Sequence, residues 1–273
     1  MSECTHDCAT CGESCGERQA PQSLLKEHHP SARVGKVYGI VSGKGGVGKS
    51  MTTCQLAVTM RRRDHAVGVL DADVTGPSIP KAFGLHGQAT GAEDHLDPML
   101  TRTGIQVMST NLLLQDETDP VIWRGPVISG VVQQFWTDVL WNCDYLFVDM
   151  PPGTGDVALS VFQSIPLDGI IVVASPQDLV SMVVEKAVKM AEMMEVPILG
   201  VVENMSYLSC PDCGKKLYPF GQGKTAEAAR RHQLPLLAEM PMDPALAALT
   251  DAGDIESFQG AWLDHAADLL EGK

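Results

Sequence analysis

Short apolar runs separate longer amphipathic stretches along most of this chain. Five runs of four or five largely apolar residues occur at Val37–Val41, Ala66–Leu70, Tyr145–Val148, Ile170–Ala174 and Ile198–Val202. Runs that are continuous rather than alternating are typical of strands covered on both faces, as in a parallel sheet. Between the last two runs, Ser181–Glu195 carries apolar residues at the i, i+3, i+4, i+7 spacing of a helix with one buried face. The pattern predicts an α/β fold with a doubly wound, mostly parallel sheet.

The two ends of the chain and one internal stretch have different patterns. Residues 1–31 are polar, contain Gly and Pro, and lack a helical or strand period, which predicts a short Cys-rich appendage and a linker. We expect one domain over residues 32–273. Residues from about Gly87 to Thr118 are less regular and are expected to leave the sheet. The stretch Ile255–Leu270 is predicted as a terminal helix whose polar face is acidic.

The first predicted strand runs directly into a glycine-rich loop and then a helix. The loop matches G-x-x-x-x-G-K-[ST] completely, in the strand–loop–helix context that a phosphate-binding loop requires. Its backbone N–H groups and the helix N-terminus are suited to a polyphosphate. Lys49 is expected to neutralise the β and γ oxygens of ATP, and the Ser50 hydroxyl to ligate Mg²⁺. The predicted nucleotide contacts are Gly43, Lys44, Gly45, Gly46, Val47, Gly48, Lys49, Ser50 and Met51.

Lys44 is a second lysine inside this loop, in the sequence Lys-Gly-Gly-Val-Gly-Lys-Ser. This loop resembles the deviant Walker A motif of the MinD/ParA-like ATPases. The resemblance implies a nucleotide-sandwich homodimer in which Lys44 reaches the phosphates bound by the partner subunit. A cation supplied by the partner makes hydrolysis depend on dimerisation, as an arginine finger does.

Polar side chains follow three other predicted strands, where open α/β sheets bind their ligands. Asp71 and Asp73 follow Ala66–Leu70, Asp149 follows Tyr145–Val148, and Asn204 follows Ile198–Val202. Buried carboxylates at strand ends need a cation or a donor. We expect Asp149 to hold Mg²⁺ directly or through water, and Asp73 to orient the attacking water with support from Asp71.

Six of the eight cysteines fall into two groups. Cys210 and Cys213 form a Cys-Pro-Asp-Cys-Gly knuckle over residues 210–214, which supplies two thiolates to a tetrahedral metal site. Three completions of the ligand set are open: Cys54 with Cys143, the N-terminal cysteines, or the same pair from a second subunit. The third needs only a two-fold dimer, and the resulting four thiolates suit either a [4Fe–4S] cluster or Zn²⁺.

The second group lies at the N-terminus. Cys4, Cys8, Cys11 and Cys15 place four thiols within twelve residues, which predicts a second [4Fe–4S] cluster or a Zn²⁺ site. Taken singly, Cys54 and Cys143 lie among apolar residues and are more typical of core positions than of ligands.

Several motifs together make the resemblance closer. The Lys44 loop, Asp-Ala-Asp-Val-x-Gly-Pro-Ser, Asp-Met-Pro-Pro-Gly-Thr-Gly-Asp, Glu-Asn-Met-Ser and the cysteine knuckle occur in the order found in Mrp/ApbC-type ATPases. From Lys36 to its end the chain resembles that family. The resemblance implies a cytoplasmic, ATP-hydrolysing homodimer that carries a [4Fe–4S] cluster at its subunit interface and transfers it to apoproteins. It also implies that Cys210 and Cys213 bind the cluster and that Asn204 contacts adenine.

The composition of the chain argues against some partners that other proteins with this fold bind. The 273 residues carry 20 Lys and Arg against 34 Asp and Glu, a net charge of −14, which disfavours binding to nucleic acid or to anionic lipid. No apolar run approaches the roughly 20 residues that cross a bilayer, and the first residues do not resemble a secretion signal. We therefore expect a cytoplasmic protein without a membrane or nucleic-acid partner. The alternatives are a nitrogenase-reductase-like electron donor and a MinD/ParA-like positioning ATPase with a structural zinc knuckle.

Overall fold

A computed structural model describes residues 24–74, 76, 78–114, 125–153, 155–176 and 180–273. The ten strands in these ranges are β1 (Arg33–Ser42), β2 (Val67–Asp71), β3 (Met99–Leu100), β4 (Gln106–Met108), β5 (Asn142–Asp149), β6 (Gly169–Ala174), β7 (Ile198–Glu203), β8 (Leu208–Ser209), β9 (Lys216–Leu217) and β10 (Leu236–Glu239). The eight α-helices are α1 (Lys49–Arg62), α2 (Ile79–Ala82), α3 (Gly125–Thr137), α4 (Asp156–Ser164), α5 (Val180–Met193), α6 (Lys224–Arg231), α7 (Pro244–Asp251) and α8 (Asp264–Leu270).

Eight of these strands form one sheet in the order β10-β7-β6-β1-β5-β2-β4-β3. All neighbours are parallel except β3, which pairs antiparallel with β4 at one edge. The phosphate-loop strand β1 lies near the middle, between β6 and β5. Because the carboxyl ends of parallel strands share one edge, the residues after β1, β2, β5 and β7 meet there. The doubly wound α/β prediction is confirmed.

Helices cover both faces of the sheet, which accounts for the continuous apolar runs. Neighbouring residues of one strand enter different cores: Ile40 and Phe147 pack on the side of α1, and Val41 and Val148 pack on the opposite side. The five predicted strands are observed, and their bounds differ from the predicted ones by at most four residues. Strand β1 begins earlier than its apolar run, at Arg33, because its first four residues pair at the exposed end of the sheet.

Two predictions about the less regular stretches were wrong. Within residues 87–114, β4 and β3 extend the sheet beyond β2 rather than leaving it. These strands have three and two residues, which is too short for a period to be visible. The terminal stretch is a 3₁₀ turn at Ile255–Ser257 followed by an extended segment and then α8. The backbone at Phe258 is extended, with φ −65° and ψ 129°, so the helical turn ends there and a continuous helix does not form.

The residues before β1 pack on the domain. The Lys26 backbone donates to the Ser164 carbonyl and accepts from the Trp136 indole, each over 2.8 Å, and the His28 ring packs edge-on against Trp136. Residues 1–23 lie outside the described part of the chain. Within the described ranges, no helix has the length and apolar character needed to cross a membrane.

Candidate functional site

The glycine-rich loop connects β1 to α1 at the carboxyl edge of the sheet. Gly46 and Gly48 have φ near +80°, the left-handed region that favours glycine, and Gly48 is the residue before α1. A side chain at Gly48 would also collide with the amide of Asn204. The loop therefore keeps its backbone N–H groups accessible at a helix N-terminus, which is the arrangement that binds phosphate.

Lys49 lies among the carboxylates that follow the neighbouring strands. Its Nζ is 2.7 Å from Asp149 Oδ2 and 3.6 Å from Asp73 Oδ2. The side chains of Lys49, Asp149 and Asp73 are 5%, 0% and 14% exposed. Because these side chains are largely buried, water screens their charges weakly and the attraction between Lys49 and the two carboxylates is strong. The carboxylates therefore hold the Lys49 ammonium in place beside the phosphate loop.

The oxygens beside Lys49 fit a magnesium site. Ser50 Oγ donates to Asp149 Oδ2 over 2.5 Å, and Thr53 Oγ1 donates to Asp149 Oδ1 over 2.7 Å. A hydroxyl and a carboxylate are the hard oxygen ligands that Mg²⁺ takes beside phosphate oxygens. Thr53 was not predicted, although it follows Ser50 by three residues and so lies on the same face of α1.

Asp71 is buried next to this group and does not face the pocket. Ser109 Oγ donates to Asp71 Oδ2 over 2.9 Å, and the Asp73 backbone N–H donates to Asp71 Oδ1 over 3.1 Å. Burial and the nearby charge of Asp149 raise the pKa of Asp71 to about 8. These contacts fix the start of the Asp73 loop, consistent with a supporting role for Asp71. Ser109 was also missed, because it follows the short strand β4.

Asn204 contacts the phosphate loop from the opposite side. Its Nδ2 donates to the Val47 carbonyl over 2.9 Å, and the side chain is buried. The sequence resemblance implies an adenine contact for Asn204. The contact observed here is with the loop backbone.

A cavity of about 310 Å³ opens above these groups. Its lining joins the predicted nucleotide contacts to residues of α2 and α7: Ser42, Lys44, Gly45, Gly46, Gly48, Lys49, Ser50, Met51, Cys54, Asp73, Gly76, Ser78, Ala82, Pro152 and Thr250. Lys44 therefore lies at the cavity wall. Four residues predicted for the site do not line the cavity itself: Gly43, Val47, Asp149 and Asn204. The lining residues that were not predicted for the site are Ser42, Cys54, Gly76, Ser78, Ala82, Pro152 and Thr250.

The second candidate site is the cysteine knuckle between β8 and β9. The Cys210 backbone N–H donates to the Lys215 carbonyl over 3.0 Å, and Gly214, with φ of 71°, donates back to the Cys210 carbonyl over 2.8 Å. Cys213 is exposed and Cys210 is half-buried. Hydrogen bonds from the backbone of Cys213 and Asp212 lower the pKa of Cys210, which favours the thiolate form that binds metal.

One completion of the knuckle was wrong. Cys54 packs in the core on the α1 side of the sheet and Cys143 in the core on the other side. Both are buried, and burial raises the pKa of Cys143 to about 12. Their prediction as core residues is confirmed. Within the described ranges, no three His, Cys, Asp or Glu side chains group as a metal site. Cys4, Cys8, Cys11 and Cys15 lie outside those ranges.

Comparison with known proteins identifies the family of this chain. Residues 33–267 match the family model described as ParA: NUBPL iron-transfer P-loop NTPase. An iron-sulfur cluster carrier protein from Clostridium perfringens is 45% identical over 81% of this chain and 81% of its own length. The iron-sulfur cluster transfer protein NUBPL of Mus musculus is 40% identical over 90% of this chain and 78% of its own length.

Solved structures agree with the fold. A nucleotide-binding protein from Archaeoglobus fulgidus, in complex with ADP, superposes with a TM-score of 0.76 at 43% identity, covering 84% of this chain and 90% of that one. The cell division ATPase MinD from Pyrococcus furiosus has a TM-score of 0.59 at 20% identity, covering 88% of this chain and 100% of its own, a likeness of fold. The phosphate loop, its carboxylates and the family match lead to one conclusion: this chain belongs to the family of NUBPL-type iron-transfer P-loop NTPases.

Proposed function

We propose that this protein is an ATP-hydrolysing iron–sulfur cluster carrier. Two copies form a homodimer, hold one [4Fe–4S] cluster between them and transfer it to apoproteins. The observation that carries the proposal is the knuckle itself: two neighbouring thiols on a P-loop domain, Cys213 exposed and Cys210 half-buried, which supply half of the ligands a cluster needs.

The nucleotide half of the proposal rests on the groups around Lys49. Lys49 neutralises the β and γ oxygens of ATP, and Ser50 and Asp149 hold Mg²⁺, which stabilises the charge that develops on the phosphates. Asp73, close to the Lys49 ammonium, orients the attacking water. The resemblance to deviant Walker A ATPases assigns Lys44 to the phosphates of the partner subunit. Lys44 lies on the wall of the cavity in its own chain.

The cargo half of the proposal rests on a count of thiolates. Each chain offers Cys210 and Cys213 in one hairpin, and a two-fold axis beside the hairpin gives four sulfur ligands. The cluster is cargo: it leaves when thiolates of the acceptor replace those of the carrier. We propose the cytoplasm as the place of action, where reducing conditions keep the pair as thiols.

The N-terminal cysteines form a separate part of the proposal. Cys4, Cys8, Cys11 and Cys15 bind a second [4Fe–4S] cluster or Zn²⁺. Four thiols suffice for either, so this site needs no second subunit.

The test is iron, sulfide and zinc quantification per chain on protein prepared without oxygen. The full chain, a form lacking residues 1–15, and Cys210→Ala with Cys213→Ala are compared. We expect the double variant to lose the bridging cluster, about two irons per chain, and to bind ATP normally. Wild-type iron and sulfide in the double variant would contradict the assignment of these cysteines. Zinc in place of iron would favour the structural zinc knuckle.

A further inference from the structure

The segment that carries the knuckle is basic, in a chain that is strongly acidic. From Cys210 to His232 there are five Lys or Arg and two carboxylates, a net charge of +3, whereas the whole chain has −14. All five cationic side chains are exposed. They define what we call the basic surface: Lys215, Lys216, Lys224, Arg230 and Arg231.

Along the chain, the residues of the basic surface begin directly after the knuckle and end with α6. Lys215 and Lys216 directly follow the knuckle, with the Lys216 ammonium 3.9 Å from the centre of the Tyr207 ring. Lys224, Arg230 and Arg231 belong to α6. Two apolar side chains lie between these groups along the chain, Leu217 at 48% and Phe220 at 39% exposure. Exposed apolar residues rimmed by charge are typical of protein-binding surfaces.

We propose that the basic surface docks an acidic face of the apoprotein that receives the cluster. This inference rests on the proposed carrier function and adds the chemistry of the acceptor. Opposite charges steer the acceptor to the knuckle, while Leu217 and Phe220 supply apolar contact. Cluster transfer needs the acceptor's cysteines to reach Cys210 and Cys213, so a docking surface that begins with Lys215 and Lys216, directly after the knuckle, brings the acceptor to the thiols.

An acceptor protein fits the basic surface better than DNA or a lipid bilayer, whose phosphate groups also attract cationic side chains. A DNA duplex or a bilayer extends far beyond a segment of this size and would meet the acidic remainder of the molecule. A protein with a local acidic patch meets only the basic surface.

A second copy of this chain is also a poorer occupant. A two-fold contact sets each residue against the same surface of the partner, so a dimer that covered these side chains would oppose like charges. We therefore expect the side chains of the basic surface to lie at the rim of the dimer interface, around the paired knuckles.

The experiment measures the second-order rate of cluster transfer from the loaded full-length protein to an acidic apo-ferredoxin. Two variants reverse charge on the basic surface, K215E/K216E and R230E/R231E. The matched control, K26E/K81E, makes the same change in net charge at exposed lysines outside the surface. Rates are compared between ~0.05 M and ~0.5 M salt, over which the Debye length falls from about 14 Å to about 4 Å. Loaded cluster and ATP turnover are measured for every protein.

We expect each surface variant to transfer about tenfold more slowly than wild type at low salt, and the difference to shrink at high salt. The control stays within about twofold of wild type. Replacing surface carboxylates of the ferredoxin by amides should reproduce the loss. K215E/K216E lies beside the thiols and could reduce the amount of cluster that the protein binds, which would itself lower the transfer rate. R230E/R231E avoids this problem, because α6 carries no ligand thiol.

Two results would overturn the inference. One is equal rates for the surface variants and the control while wild type transfers its cluster, which leaves the carrier function intact. The other is binding of duplex DNA or phosphatidylserine vesicles that depends on the basic surface, with transfer unchanged. A wild-type protein that holds no cluster would instead refute the carrier function and, with it, this inference.

Discussion

The Lys49 ammonium lies 2.7 Å from the Asp149 carboxylate, and neither side chain is more than 5% exposed. Lys49 belongs to the first turn of α1 and Asp149 to the end of β5, so the pair joins the phosphate loop to the neighbouring strand. The same carboxylate accepts from Ser50 and Thr53. One buried charge pair thus positions the group expected to hold phosphate and the group expected to hold Mg²⁺.

Asp149→Asn tests this pair. The change leaves the Lys49 ammonium without its nearest counter-charge, so we expect the free energy of unfolding of the nucleotide-free protein to fall by about 2 kcal/mol. This is less than the ~3–5 kcal/mol typical of a broken buried pair, because Asp73 remains as a counter-charge beside Lys49. Urea unfolding monitored by circular dichroism measures it. Asp73→Asn, farther from Lys49 and more exposed, is the control and should cost less. A larger loss in the control would contradict the assignment.

The role of Lys44 across the dimer is tested by mixing two inactive variants. Lys44→Ala should lose turnover by about 100-fold or more with a smaller loss of ATP binding, and Asp73→Asn should lose turnover through its own site. In a mixed dimer, the site of the Lys44→Ala chain receives Lys44 from the other chain. We expect an equimolar mixture to recover roughly a quarter of wild-type ATP hydrolysis, since half the dimers are mixed and each has one intact site. A mixture no more active than its components would mean that Lys44 acts within its own chain.

The adenine contact expected of Asn204 predicts a loss of base selectivity. Asn204→Ala removes the donor to the Val47 carbonyl, so affinity for any nucleotide should fall, and loss of a base contact should make the decrease larger for ATP than for GTP by about tenfold. Calorimetric titration with both nucleotides measures it. Ser206→Ala, which removes a hydroxyl that donates to Glu203 on the same loop, is the matched control. Equal losses for ATP and GTP would limit Asn204 to supporting the loop.

A carboxylate at the end of α8 predicts a pH dependence of stability. Hydrogen bonds from Lys273, His65 and Arg63 lower the pKa of Glu271 from 4.5 to about 2. Its stabilising contribution is therefore present above pH 4.5 and is lost as the pH falls toward 2. Glu271→Gln should be less stable than wild type at pH 6, with a difference that shrinks on acidification. Denaturant unfolding at several pH values checks this, with Glu239→Gln, at the exposed last residue of β10, as control. A difference that grew on acidification would contradict the prediction.

Much of the fold and the nucleotide site could be predicted from local patterns. Strands buried on both faces produce continuous apolar runs, and the phosphate loop is a contiguous motif. Asp73 and Asp149 were found because parallel strands end at one edge, which brings residues distant in sequence together. The structure adds the contacts among them.

The missed features depend on which strands pair, on where a helix is interrupted, and on which side of the sheet a residue packs. Ser109 reaches Asp71 only because β4 joins the sheet beside β2, and a three-residue strand leaves no readable period. The break in the terminal stretch lies at Phe258, whose backbone is extended, and apolar residues at helical spacing continue across it without revealing it. The pairing of Cys54 with Cys143 fails because the sheet separates them, a relationship that spacing alone does not contain.

In the function proposed above, two chains together complete one cluster site. Native mass spectrometry of anaerobic protein loaded with nucleotide and cluster, using the form that lacks residues 1–15, measures chains and irons together. We expect a particle of two chains with four irons and four sulfides, which becomes free of iron when Cys210 and Cys213 are replaced. A single chain carrying both nucleotide and a complete cluster would contradict it.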